Sequence, residues 1–153
     1  MIKREGIKEV VKNRKAYHEY IILDKLEAGI ALAGTEIKSA RNHGINIKDS
    51  FVRMNGREAI LMNMHIAKYK MGGFFNHDPV RPRKLLLHKQ EIRKLYGKVT
   101  EKGLTIVPLR LYFKSGLLKV EIALVKGKNV HDKRDAIKKK DMDREWDRKK
   151  AYY

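Results

Sequence analysis

The sequence predicts a mainly β chain: six short antiparallel strands closed into a barrel, two or three short helices, and a basic C-terminal tail, disordered or helical. Three observations predict it. Apolar and polar residues alternate with period two through most of residues 17–126, the pattern of half-buried antiparallel strands. Turn-forming residues such as Asn55-Gly56 and Lys114-Ser115-Gly116 break the alternating runs. After Gly127 the apolar pattern fades and mixed charge takes over.

In chain order, residues 17–23 and the stretch around Ile30-Ala31-Leu32 read as two strands joined at Glu27-Ala28-Gly29. Residues 34–44 then read as a short helix, with Thr35 as N-cap, Glu36 at the positive end and Gly44 as terminator. Lys38 and Arg41, three apart, share one helical face. Strands follow at residues 50–54 and 59–67, joined by Asn55-Gly56, whose tolerance of positive φ suits a tight turn. Residues 69–84 carry glycines, prolines, aromatics and cations without a period, which predicts an exposed loop. A second helix is expected over residues 89–96, stopped by Gly97, and a last hairpin over residues 104–113 and 118–125. Pro108 costs a ladder bond, so an edge or a bulge is expected there. Closure is the usual way to remove exposed strand edges, which makes an OB-like barrel the expected architecture.

Lys and Arg outnumber Asp and Glu by 36 to 18, a formal charge of +18 and a pI near 10.1. Such a surplus favours a polyanionic partner, because cations that neutralise phosphates release condensed counterions. Nucleic acid comes first among such partners and an anionic membrane surface second. A length of 153 residues suits one globular unit with appendages. Residues 1–130 are read as the barrel with a basic N-terminal arm, and residues 131–153 as the tail. Lys12-Asn13-Arg14-Lys15 makes that arm either a phosphate contact or a solvated terminus. No apolar run approaches the roughly 18 residues that span a bilayer, and the first residues lack an apolar leader, so a monomer working in the cytoplasm is expected. The absence of cysteine excludes disulfides, thiol nucleophiles and thiolate metal sites.

Catalytic patterns are scarce. The histidines at 18, 43, 65, 77, 88 and 131 are scattered and form no zinc motif, and no phosphate-cradling glycine motif is present. His77-Asp78, with Arg81 and Arg83 nearby, offers a ribonuclease reading, but an Asp-Pro step more often opens a turn. Glu27 and Glu36 suit ordinary turn and helix positions better than an acid and base pair. The expectation is a binding protein without enzymatic activity and without a cofactor.

Several ordered segments together resemble the SsrA-binding protein (SmpB) family: residues 13–20 (NRKAYHEY), 27–30 (EAGI), 34–39 (GTEIKS), Asp78-Pro79 through Arg81 and 83–87 (RKLLL), and Lys126-Gly127-Lys128 with residues 131–134 (HDKR). The resemblance runs from about residue 8 to 148. It implies an OB-like barrel that binds the transfer-RNA-like domain of transfer-messenger RNA and accompanies it to stalled ribosomes for trans-translation. It places RNA-binding roles on Asn13, His18, Glu27 and Leu86, with Lys38, Arg41 and Lys128 as phosphate contacts. Amides and carboxylates suit base or 2′-hydroxyl edges, and cations suit phosphates. It also implies that the tail enters the empty messenger channel near the decoding centre, with His131, Asp132, Lys133 and Arg134 beginning the insertion and Trp146 farther along. Composition agrees: Glu145 with Lys149 and Asp147 with Lys150 stand at helical spacing, each pair contributing only about 0.2–0.5 kcal/mol, so such a helix is marginal without a partner.

Overall fold

A computed structural model describes residues 7–73 and 76–128. The chain order is β1 (Ile7–Lys12), α1 (Arg14–Glu19), β2 (Tyr20–Ile30), α2 (Gly34–Arg41), β3 (Ile45–Asn46), β4 (Phe51–Met54), β5 (Ala59–Met62), β6 (His65–Ile66), β7 (Arg83–Leu86), α3 (Lys89–Lys102), β8 (Thr105–Lys114) and β9 (Leu117–Gly127). Seven strands form one antiparallel sheet in the order β1-β8-β9-β2-β7-β5-β4, and β3 pairs with β6 apart from it.

The expected six-stranded closed barrel is therefore corrected to a seven-stranded sheet whose ends, β1 and β4, do not pair. The reason lies in the N-terminal segment. Residues read as a basic arm form β1, whose Val10 and Val11 pack on the core, and it takes the free side of β8 from Arg110 to Lys114. With that side occupied, β4 packs against β8 without completing the ring. Edge protection comes instead from the charges of β1 and the four-residue length of β4. Curvature comes from bulges at Glu9/Val11, Ile22/Asp24 and Pro108/Arg110, the last where Pro108 is expected to interrupt a ladder.

Other element boundaries also differ. Residues 17–19, expected to open the first strand, are the last residues of α1, and β2 begins at Tyr20. Glu27-Ala28-Gly29 is not a turn but lies inside β2, opposite Glu121, Val120 and Lys119. Gly29 is required there by close approach, since a Cβ on it would stand 3.2 Å from that of Leu86 on β7. The α2 N-cap is Ala33, not Thr35, with Glu36 Oε1 accepting the Ala33 N–H at 2.8 Å. Residues 59–67 form two strands rather than one, broken at Asn63, whose φ is +63°. Finally α3 runs through Gly97 and ends at Gly103, in the left-handed region at φ 63°.

The main core gathers Leu61, Ile66, Leu85, Leu111, Val120 and Ile122 under α2 and α3, which contribute Ala40 and Leu95. A smaller cluster lets α1 pack its Ala16 against Val107, Leu109, Ala123 and Val125. Among the described residues no helix is long and apolar enough to cross a membrane.

Candidate nucleic-acid interface

Strand alternation sets one set of β2, β7, β8 and β9 side chains outside the core. Register then places Glu27 beside Glu121, Gly29 between Lys119 and Leu86, Arg110 beside Glu121, and Tyr112 beside Lys119. This brings together two residues singled out in sequence, Glu27 and Leu86. Leu86 is 55% exposed, an apolar platform outside the core.

The carboxylate of Glu27 is held from beneath. The Tyr112 hydroxyl donates to its Oε2, and Lys114 Nζ stands 3.4 Å from the same oxygen. Arg110 lies over the Tyr112 ring at 4.5 Å while its Nε donates to Glu121 at 3.3 Å. The Tyr112 hydroxyl, helped by Lys114 and Lys119 and opposed by burial, holds the Glu27 carboxyl below the usual carboxylate range. Burial first, and then the Glu27 charge, pushes the Tyr112 hydroxyl well above the usual tyrosine range. Glu27 is therefore an acceptor at neutral pH, available to amino or 2′-hydroxyl donors. In Tyr112→Phe the Glu27 carboxyl, followed by carbon NMR through an acid titration, should titrate at higher pH than in the native chain. An unchanged titration would contradict this linkage.

At the end of the sheet, α1 and Lys128 meet. The Lys128 N–H donates to the Glu19 carbonyl at 3.1 Å and its Nζ to the Tyr17 carbonyl at 3.5 Å, which sets Lys128 beside exposed His18. The Tyr17 ring carries Lys12 and Lys25 within 5.2 and 5.7 Å of its centre. Asn13 has a different position from that expected of a base reader. It is 4% exposed, its Oδ1 accepts the Ala16 N–H at 3.1 Å, and its Nδ2 donates to the Pro108 and Ile47 carbonyls at 2.9 and 3.4 Å. It seats α1 on β8, a capping role for which asparagine is a favoured residue.

Lys38 and Arg41 are exposed on α2, but each stands over an aromatic ring, Tyr69 and Phe113 respectively, both at 5.4 Å. Phe113 alternates with Tyr112 along β8, so these cations are not brought onto the face that carries Glu27. The helix is anchored by an ion cluster that the sequence reading missed. Glu36 and Arg83 are both fully buried, with Arg83 Nε donating to Glu36 Oε2 at 2.7 Å and Arg81 Nε to the same oxygen at 3.1 Å. The signal was a carboxylate in the first turn of a helix and two arginines two residues apart in an unpatterned segment. That segment is thus not simply an exposed loop.

His77, the ribonuclease alternative, is 8% exposed and fully engaged: Nε2 donates to the Ile66 carbonyl and Nδ1 accepts from the Thr35 hydroxyl, both at 2.9 Å. Asp78 Oδ1 accepts the Val80 N–H at 3.0 Å, as a turn-forming aspartate does. With both ring nitrogens of His77 engaged, the ribonuclease reading loses its base. Among the described residues no group of His, Asp or Glu is arranged to hold a metal ion. His131, Asp132, Lys133, Arg134 and Trp146 lie outside the described residues.

The SsrA-binding protein of Carboxydothermus hydrogenoformans is 56% identical over 138 residues, covering 90% of this chain and 93% of the relative. That of a Sulfurihydrogenibium species is 62% identical over 138 residues, covering 90% and 91%. A chain from a solved structure, described as "tmRNA-SmpB: a journey to the center of the bacterial ribosome", superposes with a TM-score of 0.68 at 49% identity, covering 86% of this chain and 93% of that one. The family model described as SmpB protein matches residues 10–152, nearly the whole length over which the sequence segments align, and the chain belongs to the SmpB family.

Proposed function

We propose that this chain binds the transfer-RNA-like domain of transfer-messenger RNA, the SsrA RNA, and delivers it to stalled ribosomes for trans-translation. The observation that carries the proposal is the outward face built on Glu27, Tyr112, Lys114, Lys119 and Leu86: a fixed acceptor, flanking cations and an exposed apolar residue on a rigid sheet. Rigid acceptors, platforms and phosphate contacts of this kind suit a folded RNA. Relatives named for SsrA binding and the tmRNA-SmpB structure support the choice of RNA.

The folded body, taken as residues 1–130, supplies affinity through His18, Glu27, Leu86 and Lys128, with Asn13 acting by seating α1. Lys38 and Arg41 contact phosphate on the other side of the sheet. The tail, residues 131–153, supplies the ribosomal step by occupying the empty messenger channel near the decoding centre. His131, Asp132, Lys133 and Arg134 begin the insertion, and Trp146 anchors it farther along. The protein acts in the cytoplasm as a monomer and performs no catalysis itself.

Gel shifts comparing the transfer-RNA-like domain with an unstructured RNA of equal length test the choice of partner. Tighter binding of the structured RNA is expected, and equal affinity would indicate a general single-strand binder. Binding should also weaken steeply with salt, log K falling linearly with log salt by about 0.7–0.9 per phosphate neutralised. A flat salt titration would contradict a role for the +18 charge in binding.

A further inference from the structure

The outer face of the sheet carries two carboxylates side by side. Glu27 on β2 and Glu121 on β9 stand directly opposite in register. Like charges so opposed destabilise a strand pair, and an uncompensated carboxylate repels the phosphates of an RNA. The two glutamates are not equivalent, however. The Glu27 side chain is 38% exposed, that of Glu121 only 20%.

Arg110 makes the difference. It is the partner of Glu121 across β8 and β9, and its Nε donates to Glu121 Oε1 at 3.3 Å. Its Nη1 lies 3.9 Å from Glu9 Oε1, so β1 supplies a second carboxylate that holds the guanidinium. The same guanidinium lies over the Tyr112 ring at 4.5 Å, and the Tyr112 hydroxyl donates to Glu27. With Arg110 over it, Tyr112 is only 4% exposed although it belongs to the outer face. Partly exposed ion pairs of this kind add little to stability, so what the arrangement decides is which charge is left facing outward.

We infer that Arg110 is a positioning residue for RNA binding: it takes up the Glu121 charge, so that Glu27 alone is presented as the acceptor. The inference rests on the RNA-binding reading above and goes beyond it, because Arg110 acts through Glu121 and Tyr112 rather than on the RNA. Without the guanidinium, Glu121 competes for Lys119, two residues along the same face, and a second carboxylate faces the phosphates.

A double-mutant cycle on the full-length chain, read as affinity for the transfer-RNA-like domain, tests this. Arg110→Gln should weaken binding about tenfold, within the range of coupled neighbours. Glu121→Gln alone should change affinity less than about threefold, yet in the Arg110→Gln chain it should restore affinity to within about threefold of native. That double variant replaces one neutral pair by another, so its slope of log K against log salt should match the native slope. Additive effects, or unchanged affinity in Arg110→Gln, would overturn the inference. So would a double variant that stays weak with its slope reduced by about 0.7–0.9, which would make Arg110 a direct phosphate contact. Arg110→Met, equally neutral and of similar length, carries the same cycle should Arg110→Gln not fold. If the native chain itself failed to bind the RNA, the broader reading would fall and this inference with it, a result distinct from additivity in the cycle.

Discussion

Arg83→Ala is expected to cost about 3–5 kcal/mol, the range for removing one partner of a buried ion pair. Against a typical total of about 5–15 kcal/mol, that should lower Tm by roughly 10–20 °C. The side chain is fully buried, and besides its bonds to Glu36 its Nη1 donates to the Met64 carbonyl at 2.6 Å and its Nη2 to the Pro79 carbonyl at 3.0 Å. Truncation removes the buried cation from the Glu36 charge and a donor from the Met64 carbonyl, leaving Arg81, whose side chain is 36% exposed, and the Ala33 N–H to hold the carboxylate. Arg83→Lys should rescue little, since an ammonium cannot reproduce the planar fork. Replacing both partners, Glu36→Leu with Arg83→Leu, should be less damaging than Arg83→Ala, because no uncompensated charge remains. Thermal unfolding followed by circular dichroism checks this, and a loss below about 1 kcal/mol in Arg83→Ala would contradict the reading.

The same cluster sets the acid limit of stability. Burial alone would raise the Glu36 carboxyl, but hydrogen bonds from Arg81, the Ala33 N–H and Arg83 together hold it below the usual range. A depressed folded-state pKa contributes stability that is fully present above the unfolded value, near 4.3, and is lost as pH falls through the folded value. Native stability should therefore decline below about pH 4, and less so in the doubly substituted chain.

Deleting residues 131–153 is expected to leave affinity for the transfer-RNA-like domain within about threefold of the full chain and to abolish peptide tagging on stalled ribosomes. The first half follows because the body is packed and hydrogen-bonded through Lys128, whose N–H and Nζ bond to the end of α1. The modest loss follows from the tail's cations, which add general electrostatic attraction to RNA. The second half follows from the proposed entry of the tail into the empty messenger channel. Loss of RNA binding on truncation would show that the body and the tail do not divide the work in this way.

Period-two alternation was enough to locate β4, β5, β8 and β9, and the helical register of residues 34–44 was enough for α2. It could not find β1, because Ile7, Val10 and Val11 in a basic hexamer look like a solvated arm until β8 supplies the partner. That one omission explains the wrong expectation of closure. Gly29 reads as turn chemistry in one dimension, whereas its cause is a side chain on a strand more than fifty residues later. The site divides similarly. Glu27, Leu86, His18 and Lys128 were candidates through ordered segment resemblance, but Tyr112 and Lys114, which hold Glu27, and Arg110, which covers the Tyr112 ring, occur in an ordinary strand pattern.

Sequencing the RNA that co-purifies with the full-length chain from its own cells tests the identity of its RNA partner. Transfer-messenger RNA should dominate over its share of total RNA, with the enrichment reduced in Glu27→Ala, which removes the fixed acceptor on the outer face. Co-purifying RNA that merely mirrors the cellular pool would contradict the account, leaving a cationic sheet that binds RNA without choosing it.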